Sequence, residues 1–200
     1  MNETIEYYNR NADAYYRNTV DAVFDRLRRK FVSYLPEHAR IIDIGCGSGR
    51  DVKAFRDMGY EAVGLDASKE MARVAREQLG IDVITGDMSE WIAEEPYDGI
   101  WCCASLLHLH EEEAERFLSN LKINLKPGGV IFLSVKEGIE TGYDDKGRYL
   151  RNYTEGELRE KLPSAGISVV SINKTGDQLG RAGFQWLNFI GELHTCNRRD

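Results

Sequence analysis

The stretch that decides the fold is 41-IIDIGCGSGR-50, in which an apolar run leads directly into three closely spaced glycines. The run from Arg40 to Ile44 predicts a short buried strand. Arg50 to Met58 has a helical pattern and stops at Gly59. Glycines allow sharp turns and a close ligand approach, and the N–H groups at a helix N-terminus favour negatively charged groups. The stretch therefore predicts a strand, a ligand-binding loop and a helix.

Strand-like and helical patterns alternate after this unit. The further predicted strands are 61–65, 82–85, 99–103 and 130–135, and the predicted helices between them are 68–79 and 111–125. This alternation is typical of a parallel sheet with helices on both faces.

Two more strand-like runs, 167–172 and 184–190, follow a helix with a capping box at Thr154. Their connection, 173–183, contains three glycines, which favours a loop over a crossover helix and so an antiparallel pair. We therefore predict a doubly wound, Rossmann-like α/β fold. Its sheet has seven strands and is mostly parallel, with an antiparallel C-terminal edge pair and helices on both faces.

The segment before the first strand predicts two helices. In the second, an apolar stripe recurs at three- and four-residue steps and ends before Pro36. Its members are Val20, Phe24, Leu27, Phe31 and Leu35. We interpret residues 1–35 as a helical region that covers the site, within one domain spanning 1–200.

Composition narrows the classes of function. The 200 residues fit one domain, and a net charge of −7 opposes non-specific binding to nucleic acid. No apolar run has the length of a membrane span and no signal peptide is evident, so we expect a cytoplasmic protein without membrane association. The cysteines, with Cys102 beside Cys103 and Cys196 far along the chain, form no disulfide framework. No metal site is expected, because CxxC and HExxH spacings are absent.

The glycine spacing distinguishes between ligand classes. G-x-G-x-G followed by Arg50 matches neither the dinucleotide fingerprint G-x-G-x-x-G nor the phosphate loop G-x-x-x-x-G-K-[ST]. On glycine spacing alone, a purely structural turn remains an alternative. Asp66 ends the second strand, about twenty residues on, where an acidic side chain can accept from both ribose hydroxyls. Asp87 follows the third strand, where a helix cap is the alternative.

Taken together, these motifs resemble a known family. The order and spacing of IIDIGCGSGR, VGLDAS, GDM, YDGIWCCASLLHL and LKPGGVIFLS are similar to those of class I S-adenosylmethionine-dependent methyltransferases, over roughly residues 5 to 190. The closest likeness is to small bacterial methyltransferases labelled as related to tellurite resistance, through YYNRNADAYYRNT and GRAGFQWLN. The resemblance implies S-adenosyl-L-methionine as cofactor and S-adenosyl-L-homocysteine as product.

The resemblance also implies which residues contact the cofactor. The expected residues at the methionine end are Asp43, Gly45, Cys46, Gly47, Gly49, Arg50 and Cys103. The expected residues at the ribose and adenine are Asp66, Ala67, Met71, Asp87 and Met88. Within this set, Asp66 is expected to hold the ribose hydroxyls. Arg50 is expected either to reach the methionine carboxylate or to face solvent.

Two residues are candidates for catalysis. His108 follows the fourth strand and is a candidate general base, with a structural histidine as the alternative. Tyr15 belongs to an N-terminal set of tyrosines that also contains Tyr7, Tyr8 and Tyr16 and is expected to contribute either to a lid or to the core. The segment 137–153 is expected to be a substrate loop.

We therefore predict a methyltransferase that acts on a small molecule as a monomer or homodimer. Two alternatives remain open at this point. One is an RNA (tRNA) modifying methyltransferase, for which RLRRK at 26–30 and Arg148 with Arg151 would form the basic footprint; nucleic acid is nevertheless not the expected partner. The other is a non-catalytic module that binds S-adenosylmethionine.

Overall fold

The computed structural model describes residues 3–181 and 183–194. Cys196, Ala182 of the GRAGFQWLN motif, and the first two residues of the predicted covering region lie outside the described residues. The helices are α1 (Glu3–Thr19), α2 (Asp25–Val32), α3 (Arg50–Asp57), α4 (Lys69–Leu79), α5 (Glu111–Asn124) and α6 (Glu155–Ser164). The strands are β1 (Arg40–Ile44), β2 (Glu61–Asp66), β3 (Val83–Thr85), β4 (Tyr97–Cys103), β5 (Leu125–Lys136), β6 (Thr141–Tyr143), β7 (Tyr149–Arg151), β8 (Ile167–Gly176) and β9 (Gln185–Leu193).

The main sheet has seven strands in the order β3-β2-β1-β4-β5-β9-β8. The first five are parallel, and β9 is antiparallel to both β5 and β8. This confirms the predicted Rossmann-like fold with its antiparallel edge pair. Because β1 lies between β2 and β4, the strand order reverses at β1, and ligands of open α/β sheets bind at the carboxyl ends of the strands beside such a point.

Alternate strand residues fill two hydrophobic layers, as expected of strands buried on both faces. One layer contains Ile42 and Ile100 and packs against α5 and α6. The other contains Ile41, Trp101 and Phe132 and packs against α2, α3 and α4. The ring centroids of Trp101 and Phe132 lie 3.8 Å apart with nearly parallel planes. The carboxyl ends of the strands are thereby held on a rigid base.

The second N-terminal helix is shorter than its apolar stripe predicts. The prediction placed Val20 to Leu35 on one helix, but α1 ends at Thr19 and α2 covers only Asp25–Val32. The backbone oxygen of Thr19 accepts a hydrogen bond of 3.2 Å from Arg50, so a side chain satisfies this carbonyl at the end of α1. The apolar stripe predicts burial correctly at Leu27 and Phe31, but it does not locate the interruption of the helix between Thr19 and Asp25.

Two connections also differ from the prediction. Strand β5 begins at Leu125, before the predicted strand 130–135, because Leu125 already pairs with Tyr97 ahead of a register shift between Tyr97 and Gly99. The predicted substrate loop 137–153 contains a small antiparallel hairpin formed by β6 and β7.

Candidate functional site

A cavity lies at the carboxyl ends of β1, β2 and β4, beside the segment that follows β3. Its volume is about 850 Å³ including the open mouth. Most of the residues predicted from sequence line it. They are Tyr15, Gly45, Gly47, Asp66, Ala67, Met71, Asp87, Met88, Cys103 and His108.

Four predicted residues do not line this cavity. Gly49 is the N-cap of α3 with a φ of +79°. The Cys46 sulfur lies 2.5 Å from the position that a Cβ on Gly64 would occupy, so it packs against β2. Asp43 is buried in β1, and Arg50 contributes to a different cavity. These residues support the loop from behind.

The glycine loop has no room for side chains on its cavity side. Gly45 has a φ of +70°, and a Cβ there would lie 2.2 Å from the Ser105 hydroxyl oxygen. Gly47 has a φ of +55°, and a Cβ there would meet the methyl carbon of Met71 at 3.2 Å. The backbone N–H of Gly45 donates to the Leu65 oxygen at 2.8 Å. The loop is therefore fixed to the end of β2 and presents bare backbone to the cavity.

Asp66 connects the glycine loop to α4. Its two carboxylate oxygens accept hydrogen bonds from the backbone N–H groups of Gly47 at 2.7 Å and Ser68 at 2.8 Å. Burial raises the pKa of Asp66 above its usual value, and these two hydrogen bonds oppose that shift. The Ser68 side chain caps α4 and donates to Asn9 of α1 at 2.7 Å. One carboxylate thus organises three elements around the cavity.

Asp87 presents part of its carboxylate to the cavity. Its Oδ1 accepts from the backbone N–H and from the hydroxyl of Ser89, both at 2.8 Å. These bonds stabilise a turn at 88–90 rather than a helix, so the helix-cap alternative is wrong. Its Oδ2 accepts no hydrogen bond from the part of the chain that the structure describes.

A buried charge cluster lies behind the loop. Asp51 accepts hydrogen bonds from Arg28 at 2.5 Å and from Arg50 at 2.7 Å. Burial opposes its ionisation, but the two guanidinium groups outweigh that effect and hold the pKa of Asp51 below its usual value. Asp43 is also buried, and one of its oxygens has no hydrogen-bond partner among residues 3–181 and 183–194. Burial and the neighbouring Asp51 raise the pKa of Asp43 well above its usual value.

Helix α1 covers the cavity with two tyrosines. The rings of Tyr8 and Tyr15 meet edge to face, with centroids 5.2 Å apart. The Tyr8 hydroxyl lies 2.9 Å from Nε2 of His108, and the Nδ1 of His108 lies 2.8 Å from the Tyr149 oxygen. Since a carbonyl only accepts, Nδ1 carries the proton and Nε2 accepts from Tyr8. Burial lowers the pKa of His108 to about 4, so the ring is neutral at physiological pH.

The hairpin holds α1 from the other side. The backbone N–H of Tyr149 donates to the Thr4 hydroxyl at 2.9 Å. Arg148 donates to Asp144 at 2.6 Å and approaches the Tyr8 hydroxyl at 3.5 Å. Thr4 and Ser105 also line the cavity, and the sequence analysis did not name either of them. Ser105 lies within a recognised motif, whereas no sequence signal marked Thr4.

A second cavity of about 550 Å³, including its mouth, adjoins the first. The two share three residues in their walls, which are Tyr15, Cys103 and Ala104. Arg50 lines this second cavity together with Arg181, Trp186 and Asn188 from the late GRAGFQWLN motif. Trp186 and Asn188 belong to β9, as expected of edge-strand residues.

Three of the arginines proposed as an RNA footprint are paired with carboxylates, whereas Arg26, Arg29 and Lys30 are exposed on α2. Arg28 is 5% exposed and contacts Asp25 and Asp51. Arg148 pairs with Asp144. Arg151 pairs with Glu111 and Glu157. These side chains therefore offer little unneutralised charge to a phosphate backbone.

Part of the chain is similar to a known domain family. Residues 41–129 match the family model described as a methyltransferase domain. The matched segment contains the glycine loop, Asp66, Asp87, Cys103 and His108, so the similarity includes residues of the motifs from which a methyltransferase was predicted.

The chain is also similar to named methyltransferases in sequence and in fold. Trans-aconitate 2-methyltransferase of Azoarcus sp. is 29% identical over 134 residues, which cover 66% of this chain and 51% of the relative. The chain thus spans about half the length of that curated relative. The structure of a 1,6-didemethyltoxoflavin-N1-methyltransferase from Burkholderia thailandensis, with bound 1,6-didemethyltoxoflavin and S-adenosylhomocysteine, has a TM-score of 0.77. It is 22% identical, and the alignment covers 95% of this chain and 85% of that one.

A structure described as a TehB-like methyltransferase from Corynebacterium glutamicum has a TM-score of 0.71 at 20% identity, and the alignment covers 93% of this chain and 98% of that one. At this identity the likeness shows the shared fold. Within residues 3–181 and 183–194, no helix is long and apolar enough to cross a membrane. Across the same residues, no group of three or more His, Cys, Asp or Glu side chains is arranged to hold a metal ion.

Proposed function

We propose that this chain is an S-adenosylmethionine-dependent methyltransferase that acts on a small molecule. The observation that carries the proposal is the cavity at the strand-order reversal, with bare glycine backbone on one side and the carboxylates of Asp66 and Asp87 on the other. Most of the residues that the family motifs imply also line this cavity. The relation to tellurite-resistance methyltransferases rests on the N-terminal and late sequence motifs and belongs to the same proposal.

The ribose and adenine contacts fit the carboxylates that line the cavity. Each Asp66 oxygen accepts one backbone N–H, and an ionised carboxylate has about four acceptor sites, so acceptor capacity remains for two ribose hydroxyls. The unpaired Oδ2 of Asp87 is suited to an adenine amino group. Met71 and Met88 also line the cavity and would border the adenine ring with Ala67.

The methionine end fits the glycine loop. Gly45 and Gly47 leave the space that a Cβ would fill. Asp43, at the end of β1, has a buried oxygen without a partner, which an ammonium group reaching behind the loop would satisfy. Cys103 would contribute through its backbone. Arg50 is held by Asp51 and Thr19, and it lines the second cavity. We therefore propose that Arg50 acts there rather than on the methionine carboxylate.

The cofactor supplies an activated methyl group on a sulfonium, and transfer breaks the S–C bond, leaves its electron pair on sulfur and forms the bond to the acceptor. The chain must therefore hold the acceptor in line and exclude water, and positioning contributes roughly 7–11 kcal/mol in favourable cases. Helix α1 performs the exclusion through Tyr8 and Tyr15. We propose that Tyr15 touches the reacting groups. We also propose that His108 positions Tyr8, because both ring nitrogens of His108 already form hydrogen bonds.

The small-molecule class is favoured over RNA by charge and enclosure. The net charge is −7, Arg28, Arg148 and Arg151 are paired with carboxylates, and α1 with the hairpin closes one side of the site. We propose a single domain in which the N-terminal region, described here from residue 3, acts as its lid, in a cytoplasmic enzyme.

The test has two parts. Calorimetry with S-adenosylmethionine, S-adenosylhomocysteine and NAD should show binding of the first two and none of NAD. A turnover assay with labelled cofactor over metabolites, inorganic oxyanions and total RNA should place the label in small molecules. Binding of NAD alone, or label confined to RNA, contradicts the proposal.

A further inference from the structure

We infer that the second cavity is the acceptor pocket, and that it takes a small organic molecule with a carboxylate or similar anionic group. The inference rests on the proposed function, because it assumes that the first cavity holds the cofactor. It concerns a part of the chain outside the matched methyltransferase segment, chiefly residues 175–188.

The first argument is contiguity at the reactive end. The wall common to both cavities consists of Tyr15, Cys103 and Ala104, and Cys103 ends β4 above the glycine loop. Ala104 has a φ of +59°, an unusual conformation for a residue with a Cβ. Its N–H donates to the Ser134 oxygen at 2.9 Å. This turn brings the chain across the boundary, so an acceptor in the second cavity lies next to the proposed methyl donor.

The second argument is the apolar part of the pocket. Phe24 and Leu27 lie on one side, and Leu179 and Trp186 come from the segment around β9. Leu179 is 40% exposed, although it is a large apolar side chain on the wall of a cavity. An organic ring or chain between these residues would bury apolar area that water now contacts.

The third argument is that the carboxylate and the amide of the pocket are already satisfied. Asp177 accepts from Arg181 at 2.5 Å and from the Trp186 indole N–H at 3.1 Å. Burial opposes its ionisation, but these hydrogen bonds lower its pKa to about 2. The Asn188 oxygen accepts from Ser134 at 2.9 Å, and its amide donates to the Thr175 hydroxyl at 3.0 Å. These groups are committed to one another, so a cationic acceptor would find no free carboxylate in this wall.

The remaining polar capacity consists of guanidinium N–H donors, although each guanidinium is also paired with an aspartate. Arg181 uses Nε and Nη2 for Asp177, which leaves its Nη1 group uncommitted. Its side chain is 49% exposed. Arg50 uses each of its three nitrogens once, and since a guanidinium has five N–H groups, further donors remain. Guanidinium donors bind carboxylates and similar oxyanions in preference to neutral groups. The pocket therefore combines apolar walls with two donors for an anion.

The acceptor class can be tested without knowing the molecule. A protein-free small-molecule extract of bacterial cells is separated on an anion-exchange column at pH 7 into flow-through and retained fractions. Each fraction is incubated with the enzyme and methyl-labelled S-adenosylmethionine. We expect the retained organic fraction to support at least 10-fold more label incorporation than the flow-through. Incorporation mainly from the flow-through, or from inorganic oxyanions alone, overturns the inference.

Two variants then assign the activity to the second cavity. Arg181→Gln and Leu179→Trp are each expected to raise the KM for the retained fraction at least 5-fold, with the affinity for S-adenosylhomocysteine unchanged. The matched control is Arg159→Gln, because Arg159 forms the same i,i+4 pair with Glu155 at similar exposure but lies on α6. Unchanged KM in both cavity variants overturns the location.

Failure of the proposed function has a different signature. If S-adenosylhomocysteine does not bind the unmodified protein, or if neither extract fraction nor RNA accepts label, the methyltransferase proposal itself is wrong. If the cofactor binds and turnover occurs but the acceptor is neutral or cationic, only the inference about the second cavity fails.

Discussion

The Tyr8 hydroxyl donates a hydrogen bond of 2.9 Å to Nε2 of His108, across 100 residues of sequence. The opposite ring nitrogen is bound to the Tyr149 carbonyl, so His108 joins the N-terminal helix, the end of β4 and the hairpin at one point. A histidine in this arrangement has no free nitrogen with which to abstract a proton from a substrate. Its geometry suits the alignment of Tyr8 over the cavity.

The first prediction concerns pH. The folded pKa of His108 is about 4, against an unperturbed value of 6.5, so the unfolded chain binds the extra proton first as pH falls. The free energy of unfolding should therefore fall between about pH 6.5 and 4, by up to about 1.4 kcal/mol per pH unit from this group. Urea denaturation of His108→Gln should show a shallower loss over this window. His194→Gln, at an exposed position, is the control for removal of an imidazole, and a curve for His108→Gln that matches the control contradicts the prediction.

The second prediction concerns Asp66. Asp66→Ala should raise the Kd for S-adenosylhomocysteine about 10- to 100-fold, since a hydrogen bond to a charged group contributes roughly 1.5–3 kcal/mol. The free energy of unfolding should fall by less than the free energy of cofactor binding, although the backbone N–H groups of Gly47 and Ser68 each lose an acceptor. The control is Asp98→Ala, which breaks an ion pair with Lys126 at the opposite end of β4. Calorimetry and urea denaturation on both variants separate the two effects, and normal binding by Asp66→Ala would sink the ribose assignment.

The third prediction concerns the lid. Deletion of residues 1–18 should abolish turnover and weaken cofactor binding, because it removes both tyrosines that cover the cavity and the Asn9 contact to Ser68. Tyr15→Ala should lower kcat at least 10-fold in a chain that keeps α1. Tyr16→Ala is the matched control, since Tyr16 packs in the same cluster but lines neither cavity. Full-rate methylation by the truncated chain is the result that rules out a lid.

The fourth prediction separates the cost of a left-handed backbone from the cost of a steric clash of an added Cβ in the glycine loop. Gly45→Ala combines a left-handed φ with a contact of 2.2 Å to Ser105, whereas Gly59→Ala has a φ of +91° in open space. Left-handed backbone alone costs an alanine roughly 1–2 kcal/mol, so Gly59→Ala should lose about that much and Gly45→Ala clearly more. Adding Ser105→Gly to Gly45→Ala should recover part of the difference in thermal denaturation. Equal losses at the two glycines would show that the contact is unimportant.

Local motifs made much of the site predictable. The glycine loop, Asp66 and Asp87 each follow a strand, and the carboxyl ends of parallel strands meet at one edge of the sheet. Strand order alone therefore brought these residues together.

Other features depend on contacts that no local pattern encodes. Arg50 turns away from the cofactor cavity because Asp51 and the Thr19 carbonyl bind it, and Thr19 lies 31 residues away in sequence. The Thr19 carbonyl lies at the end of α1 and also accepts from the Ala22 N–H at 3.1 Å. Arg181 and Trp186 reach the second cavity only because β9 lies beside β5, although their motif was already recognisable. Both ring partners of His108 come from distant segments, which is why the sequence left its role undecided between base and structural residue.

The wall that separates the two cavities has a thermodynamic consequence. Tyr15, Cys103 and Ala104 line both cavities and would contact a ligand in either one. Because the same residues form both walls, their position for one ligand is also their position for the other. A ligand that shifts this wall changes the affinity on the other side, and the exchange is reciprocal, since coupling free energy is the same in both directions. In that case, the affinity of one ligand measured with the other cavity empty differs from its affinity when both cavities are occupied, as they are during turnover. Any coupling between the two ligands through this wall would therefore depend on these three residues.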